Sequence, residues 1–172
     1  MKDNYDVWKV SADGKQHQAL TNNWKADKLT TLSYNRIYED DEFIDLKKDQ
    51  YFHIINHNTK QKGIALLAAN SSKITPIKLE DAHMSQLQRT KQGDLLFYTK
   101  EQSNVAPEFF FSKDKALANE VQLTDNTPDT KKYGISTFTK LRMESCAHCP
   151  KYCFCAIYNW LYGQNLVCFI CV

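Results

Sequence analysis

The stretch FFFSKDKALANEVQLTDN, residues 109–126, decides the reading of the chain, because its pattern recurs upstream. It reads as strand, polar turn, strand, and it closes on Leu123, Thr124, Asp125 and Asn126. The copy nearest the start is VWKVSADGKQHQALTNN, residues 7–23, where Ser11, Asp13, Leu20, Thr21 and Asn22 hold the places of Ser112, Asp114, Leu123, Thr124 and Asp125. A fainter middle copy is LLAANSSKITPIKLED, residues 66–81, with Leu79 in the place of Leu20 and Leu123. The intervals between these leucines are those of propeller blades rather than of short helical repeats.

Reading outward from the repeat, the chain falls into short strands separated by polar turns. Residues 6–11 and 17–21 predict a hairpin, with Ala12, Asp13 and Gly14 at the turn, since glycine accepts positive φ without a Cβ clash. Residues 29–38, 51–57, 63–69 and 75–80 predict four strands, and 84–90, 95–100, 108–112 and 120–124 predict four more, with Pro107 just before its strand. The run IALLAA, residues 64–69, has helical propensity, but its brevity and the NSSK that follows favour a buried central strand. Between two of the strands, EDDEFIDLKKDQ is a charged connection whose Phe43, Ile44 and Leu46 are expected to tuck inward. With no convincing amphipathic helix, the expected class is all-β. The predicted fold is a partial β-propeller of about two and a half four-stranded antiparallel blades, because four strands per repeat is the blade, followed by an irregular Cys-rich tail. The partial propeller covers residues 1–126, as a half blade at 5–23 and blades at 29–80 and 84–124; 127–143 is a linker with one strand near Thr139 to Arg142, and 144–172 is the tail.

Length and charge bound the rest. The 172 residues suit one ordinary domain, and 22 Lys and Arg against 20 Asp and Glu are interspersed, so no basic face marks a nucleic-acid partner. MKDNYDVWKV opens without the apolar core of a secretory signal, and the compartment stays open. All six cysteines lie between Cys146 and Cys171, so cysteine usage is silent about the main body.

With the repeat in place, residues 5 to about 137 resemble the last part of the β-propeller of the prolyl oligopeptidase family of serine peptidases, in particular its dipeptidyl- and acylaminoacyl-peptidase-like members. The residues that carry the resemblance are YDVWKVSADGK with its closing LTNN, the IDLKKDQYFHIIN connection, and LLFYTKEQSNVAPEFFFS followed by VQLTDNTPDTKKY, which is similar to a final blade and the linker into the catalytic domain. The resemblance implies a peptidase ancestry directed at short peptides, with a propeller that caps and gates an α/β-hydrolase domain. It also implies partners: the hydrolase domain, the remaining blades, and the parent's peptide substrates. The catalytic part itself does not appear in these residues. The five glycines, Gly14, Gly63, Gly93, Gly134 and Gly163, never frame a serine as G-x-S-x-G, so no nucleophile elbow is present. The chain is therefore expected to be inactive alone, with no catalytic residue and no cofactor assigned, and its unpaired blade edges are expected to promote self-association.

The tail carries the spacing Cys146-x2-Cys149-x3-Cys153-x-Cys155-x12-Cys168-x2-Cys171. Two C-x2-C knuckles, Cys146 with Cys149 and Cys168 with Cys171, satisfy the spacing of a zinc site, with His148 as a further ligand, and support an alternative reading as a small β-rich binding module ended by a zinc knuckle. Against it, the spacer is apolar and aromatic, and the tail begins where the family pattern fails, at about Met143. Translation in another reading frame would produce such a break, and that reading is preferred; a disulfide-bonded or membrane-associated tail is a third. Elsewhere, His53 and His57 share one side of a presumed strand but lack a third ligand nearby. Glu39, Asp40, Asp41 and Glu42 read as a solvated charge run, Phe109, Phe110 and Phe111 as core rather than a ligand platform, and Ser136 and Ser145 have no base at a useful spacing.

Overall fold

The computed structural model describes residues 5–38, 42–92 and 95–126, together with the backbone of 153–159 and 165–171. Among these residues there are strands and turns and no helix, hence none long and apolar enough to cross a membrane. The chain divides into two compact units, residues 1–101 with 108–124, and residues 102–107 with 125–172.

The first unit holds three antiparallel sheets. Strands β1 (Trp8–Val10) and β2 (His17–Ala19) form a hairpin. Strands β3 (Leu29–Asn35), β4 (Gln50–Asn56), β5 (Lys62–Leu67) and β6 (Ile74–Glu80) pair in the order β3-β4-β5-β6. Strands β7 (His83–Arg89), β8 (Leu96–Gln102), β9 (Val105–Ser112) and β10 (Glu120–Gln122) pair in the order β10-β9-β8-β7. Each four-stranded sheet is a meander in which neighbours in sequence are neighbours in space, so the connections within it are short and their closure entropy small, except for residues 36–49 between β3 and β4. In the second unit, β11 (Cys153–Asn159) pairs antiparallel with β12 (Asn165–Cys171), which sets the Cα of Cys153 opposite that of Cys171.

Two apolar layers hold the sheets of the first unit together. In one, Val7, Leu20 and Trp24 pack on Phe52, Ile54, Ala65, Leu67 and Ile74 of the β3–β6 sheet. In the other, Tyr51 and Ile64 of that sheet pack on Met84, Leu87, Leu96, Tyr98 and Phe110 of the β7–β10 sheet, with Leu117 from the turn before β10. Side chains alternate across a strand, so β5 sends Ile64 and Leu66 one way and Ala65 and Leu67 the other. A sheet covered on both faces has no polar side to alternate with, which is why IALL is continuously apolar and why it is a strand despite its helical propensity.

The two outer copies of the repeat share a hydrogen-bond pattern as well as a sequence. Leu20 N–H donates to Val7 O at 2.8 Å, and Leu123 N–H donates to Phe109 O at 2.7 Å. Beyond each of these pairs the ladder ends on a threonine: Val7 N–H donates to Thr21 Oγ1 at 3.1 Å and Phe109 N–H to Thr124 Oγ1 at 2.9 Å. Each hydroxyl then donates onward at 2.5 Å, Thr21 to Asp6 and Thr124 to Glu108. At the turns, Asp13 Oδ1 accepts Lys15 N–H at 3.1 Å and Asp114 Oδ1 accepts Ala116 N–H at 3.0 Å. At matching places, then, a threonine accepts the backbone N–H at the ladder end and is itself held by an acid, while an aspartate accepts a backbone N–H in the turn.

The middle copy departs from the expected register. Its turn agrees, since Ser71 Oγ accepts Lys73 N–H at 3.1 Å as Ser112 Oγ accepts Asp114 N–H at 3.0 Å. Leu79, however, packs into the layer shared with the β1–β2 hairpin, on the face opposite to the one that the outer leucines occupy in their own sheets. The cause is a bulge between the pairs Ile64–Lys78 and Ala65–Pro76, which leaves Ile77 as an extra residue and changes the alternation beyond it.

Three smaller expectations also change. Pro107 lies inside β9 rather than before it. Its carbonyl accepts from Asn126 Nδ2 at 3.1 Å, and since N and O of one strand residue share a side, its nitrogen sits where a side chain rather than a strand backbone lies alongside. Phe43 and Ile44 are exposed, and only Leu46 packs on the core, held by Asn70 N–H donating to its carbonyl at 2.9 Å. The first strand of the β3–β6 sheet ends at Asn35 rather than Tyr38, and β10 ends at Gln122 rather than Thr124. The strand expected at 139–142 lies outside the described residues.

Gly63 supplies a test of the central sheet. A Cβ there would lie 1.8 Å from the Lys78 carbonyl oxygen, backbone that cannot move without breaking the β5–β6 ladder beside the bulge. Gly63→Ala is expected to cost about 1–3 kcal/mol or more, as for other overpacked sites, seen as a lower urea midpoint at unchanged slope. Gly14→Ala, at φ 71° with open space around it, is expected to cost only about 1 kcal/mol of backbone strain. Equal midpoints for Gly63→Ala and the unaltered protein would refute the close-approach argument.

Candidate functional site

The polar groups of the first unit concentrate where the two four-stranded sheets meet. Glu120, at the start of β10, receives Lys100 Nζ at 2.6 Å and Lys78 Nζ at 2.8 Å, and it accepts the Tyr98 hydroxyl as well. Glu80 extends the cluster, 3.1 Å from Lys78 and 3.2 Å from Lys100. Strand alternation builds this set, because Lys78 and Glu80 stand two apart on β6, and Tyr98 and Lys100 two apart on β8, so each pair shares a face. Lys100 also lies over the Phe110 ring, 4.4 Å from its centroid.

The protonation states follow from those contacts. Burial alone would raise the Glu120 carboxyl, but the bonds from Lys100, Lys78 and Tyr98 overcome it and hold it down to about 2. Burial and the Glu120 carboxylate together push the Tyr98 phenol well above its ordinary range. Burial opposes the charge on Lys78, yet its two carboxylate partners leave it raised. All three groups are therefore fixed in one protonation state at neutral pH, which suits a structural clamp and not a proton donor or acceptor in catalysis.

Between the same sheets lies an open cleft of about 420 Å³, lined by Ile37, Tyr38, Asp49, Tyr51, Arg89, Leu96, Lys113 and Lys115. Tyr38 presents its ring to two cations, with Lys48 Nζ 4.9 Å and Arg89 5.1 Å from its centroid. Asp49 is paired with Lys115 at 2.6 Å and accepts Ala69 N–H at 2.8 Å. Burial works against the Asp49 charge, and those two contacts outweigh it, so its carboxyl is held below the usual range. Tyr51 donates its hydroxyl to the Lys115 carbonyl at 3.2 Å, and burial beside Asp49 keeps the phenol protonated far into the alkaline range. The lining has cations, one carboxylate and aromatic faces, and it has no serine, cysteine or histidine. Such a set can bind, but it holds no nucleophile with an adjacent base.

The candidates singled out from sequence are dispersed. His53 Nε2 lies 3.0 Å from Asn35 Oδ1, whereas His57 Nε2 lies 2.8 Å from Thr30 Oγ1, so each imidazole serves its own partner on β3. Burial lowers the His53 pKa, with His83 adding to it. Among the described residues no three His, Cys, Asp or Glu side chains gather around a point that would suit a metal ion. Cys168 and Cys171 lie within one extended strand, while Cys146, Cys149 and His148 lie outside the described residues, as do Glu39, Asp40, Asp41, Ser136 and Ser145. Glu42 is exposed. The three phenylalanines divide: Phe110 stacks on Tyr98 with centroids 5.9 Å apart, Phe111 lies 6.0 Å from Phe97 on the other face, and Phe109 is exposed. Sequence reading missed the Lys78–Glu80–Tyr98–Lys100–Glu120 cluster, although the i, i+2 spacing of its charged and phenolic groups was there to be noticed.

Comparison of the chain with protein-family models, with curated proteins and with solved structures found no match in any of the three.

The clamp predicts a particular pH profile. A carboxyl whose folded value lies near 2 and whose ordinary value is 4.5 contributes stability that is complete above pH 4.5 and is lost as pH falls from 4.5 towards 2. The Tyr98 phenol has the opposite sign: its raised value contributes stability below pH 10 that is lost as pH rises beyond 10. Glu120→Gln is expected to lower the urea midpoint at pH 7 and to flatten the loss of stability between pH 4.5 and 2. An acid limb of unchanged steepness in Glu120→Gln would show that the clamp does not govern it.

Proposed function

We propose that the first unit is a run of consecutive blades of a β-propeller, and that the chain is a non-catalytic part of a serine peptidase of the prolyl oligopeptidase family. In this reading the propeller caps and gates an α/β-hydrolase domain that cleaves short peptides. The observation that carries it is the repeat: two four-stranded meanders and a hairpin, packed face to face in chain order, with the same threonine-and-acid ladder end in the first and last of them. Successive meanders that cover one another's apolar faces are how blades assemble around an axis. A ring of such rigid blades works as a gate because its channel admits extended peptides, excludes folded protein, and keeps bulk water from the site beneath.

Two measurements test the proposal. The purified chain is expected to give no turnover of chromogenic dipeptide or acyl-amino-acid esters. Turnover abolished by a serine-directed inhibitor would overturn the non-catalytic role. The DNA on both sides of the coding region, translated in all frames, is expected to encode a nucleophile elbow downstream and further blades upstream; flanks with neither would overturn the ancestry.

A further inference from the structure

The stack of sheets has two ends, and the repeat makes them complementary. Val7 and Leu20 on the hairpin stand where Phe109 and Leu123 stand on the β7–β10 sheet, as their shared backbone bonds show. The first pair is 9% and 6% exposed, because the β3–β6 sheet covers it, while the second is 48% and 52% exposed. Phe111 and Val121 are register partners on that same uncovered face, and Val121 is 50% exposed. At the opposite end, the hairpin face turned away from the β3–β6 sheet carries Trp8 and Val10, with Val10 39% exposed. Trp8 follows Val7 as Phe110 follows Phe109, so Trp8 stands in the place of the aromatic ring that β7–β10 buries against β3–β6. One end therefore repeats the face that receives a neighbouring sheet, and the other repeats the face that is received.

We propose that a second copy of the chain covers the Phe109 face with its own Trp8 face, head to tail, continuing between molecules the contact that β3–β6 and β7–β10 make within one. The two surfaces differ, so the contact is heterologous and leaves a free face at each end until enough copies close a ring. Assembly then grows with concentration instead of stopping at a symmetric dimer. A buried tryptophan set among aliphatic and aromatic side chains is the usual anchor of such a contact. The inference rests on the stacking of the sheets and not on the peptidase ancestry, so its failure would leave that ancestry untouched.

The test uses the full chain and two surface variants, Val10→Glu and Val121→Glu, each at an exposed position where the fold should be retained, as circular dichroism would verify. A charge forced into either apolar face is expected to weaken association by about tenfold or more. In sedimentation velocity the unaltered chain is expected to show a mean mass that rises beyond the dimer with concentration, and each variant alone to remain a monomer over the same range. An equimolar mixture of the two variants should give a heterodimer and nothing larger, since one intact Phe109 face and one intact Trp8 face remain between them. An unaltered chain that stays monomeric at all concentrations would overturn the proposal. So would self-association of Val10→Glu equal to the unaltered chain, the mark of a symmetric or edge-to-edge contact, or a mixture that forms no heterodimer.

Discussion

Burial of one sheet on both faces is the constraint from which the rest of the first unit follows. Ile54, Ile64 and Ala65 have no exposed surface, and they belong to two different apolar layers. Truncating a side chain in such a place costs about 2–5 kcal/mol because neighbours on a fixed sheet cannot collapse into the gap. The same double burial explains the order of the chain. A sheet that needs cover on both sides must be flanked by two other apolar faces, and the shortest way to supply them is to place one immediately before it in sequence and one immediately after. The β1–β2 hairpin and the β7–β10 meander do this, with connections short enough to keep closure entropy small.

Apolar layers fix that sheets stack, but not their rotation or sliding, and the polar contacts settle those. Asn35 Nδ2 donates to Leu87 O at 2.7 Å and Lys78 Nζ to Leu117 O at 3.3 Å, each joining β3–β6 to β7–β10 through a directional bond. The Glu120 clamp adds charge to direction. A carboxylate removed from water is costly unless its partners replace the lost solvation, so the register that brings Lys78, Lys100 and Tyr98 to Glu120 is set apart from a slipped one by the penalty the slip would incur. The partial exposure of the clamp keeps its own contribution to stability modest. Its larger effect is on which alignment of the sheets is populated.

Much of this was legible in the sequence, and the failures have definite causes. Alternation and turn chemistry placed ten strands, because Asp13-Gly14 and the Asn-Ser-Ser-Lys run at 70–73 are local signals that tertiary packing does not override. The repeat was legible in Ser11, Asp13, Leu20 and Thr21 because backbone geometry demands those residues at a ladder end. Leu79 was misplaced because a one-residue bulge at Ile77 reverses the face of everything beyond it without leaving a mark in composition. Phe43 and Ile44 were expected inside because hydrophobicity predicts burial only where a surface waits to receive it, and in that connection only Leu46 reaches one. The inter-sheet cleft was invisible for a different reason. Tyr38, Asp49, Arg89 and Lys115 come from four separate segments, and nothing in their local surroundings says that the segments converge.

The surroundings of that convergence also fix the protonation states of two of its groups. Acid–base catalysis needs a group whose two protonation states are both accessible near the working pH. Asp49 is held anionic by Lys115 and the Ala69 amide, and Tyr51 is held protonated by burial and the nearby Asp49 charge. What remains is a fixed pattern of positive charge and aromatic surface on a rigid support. The double burial of β3–β6 and the clamp at Glu120 are the features that supply that rigidity.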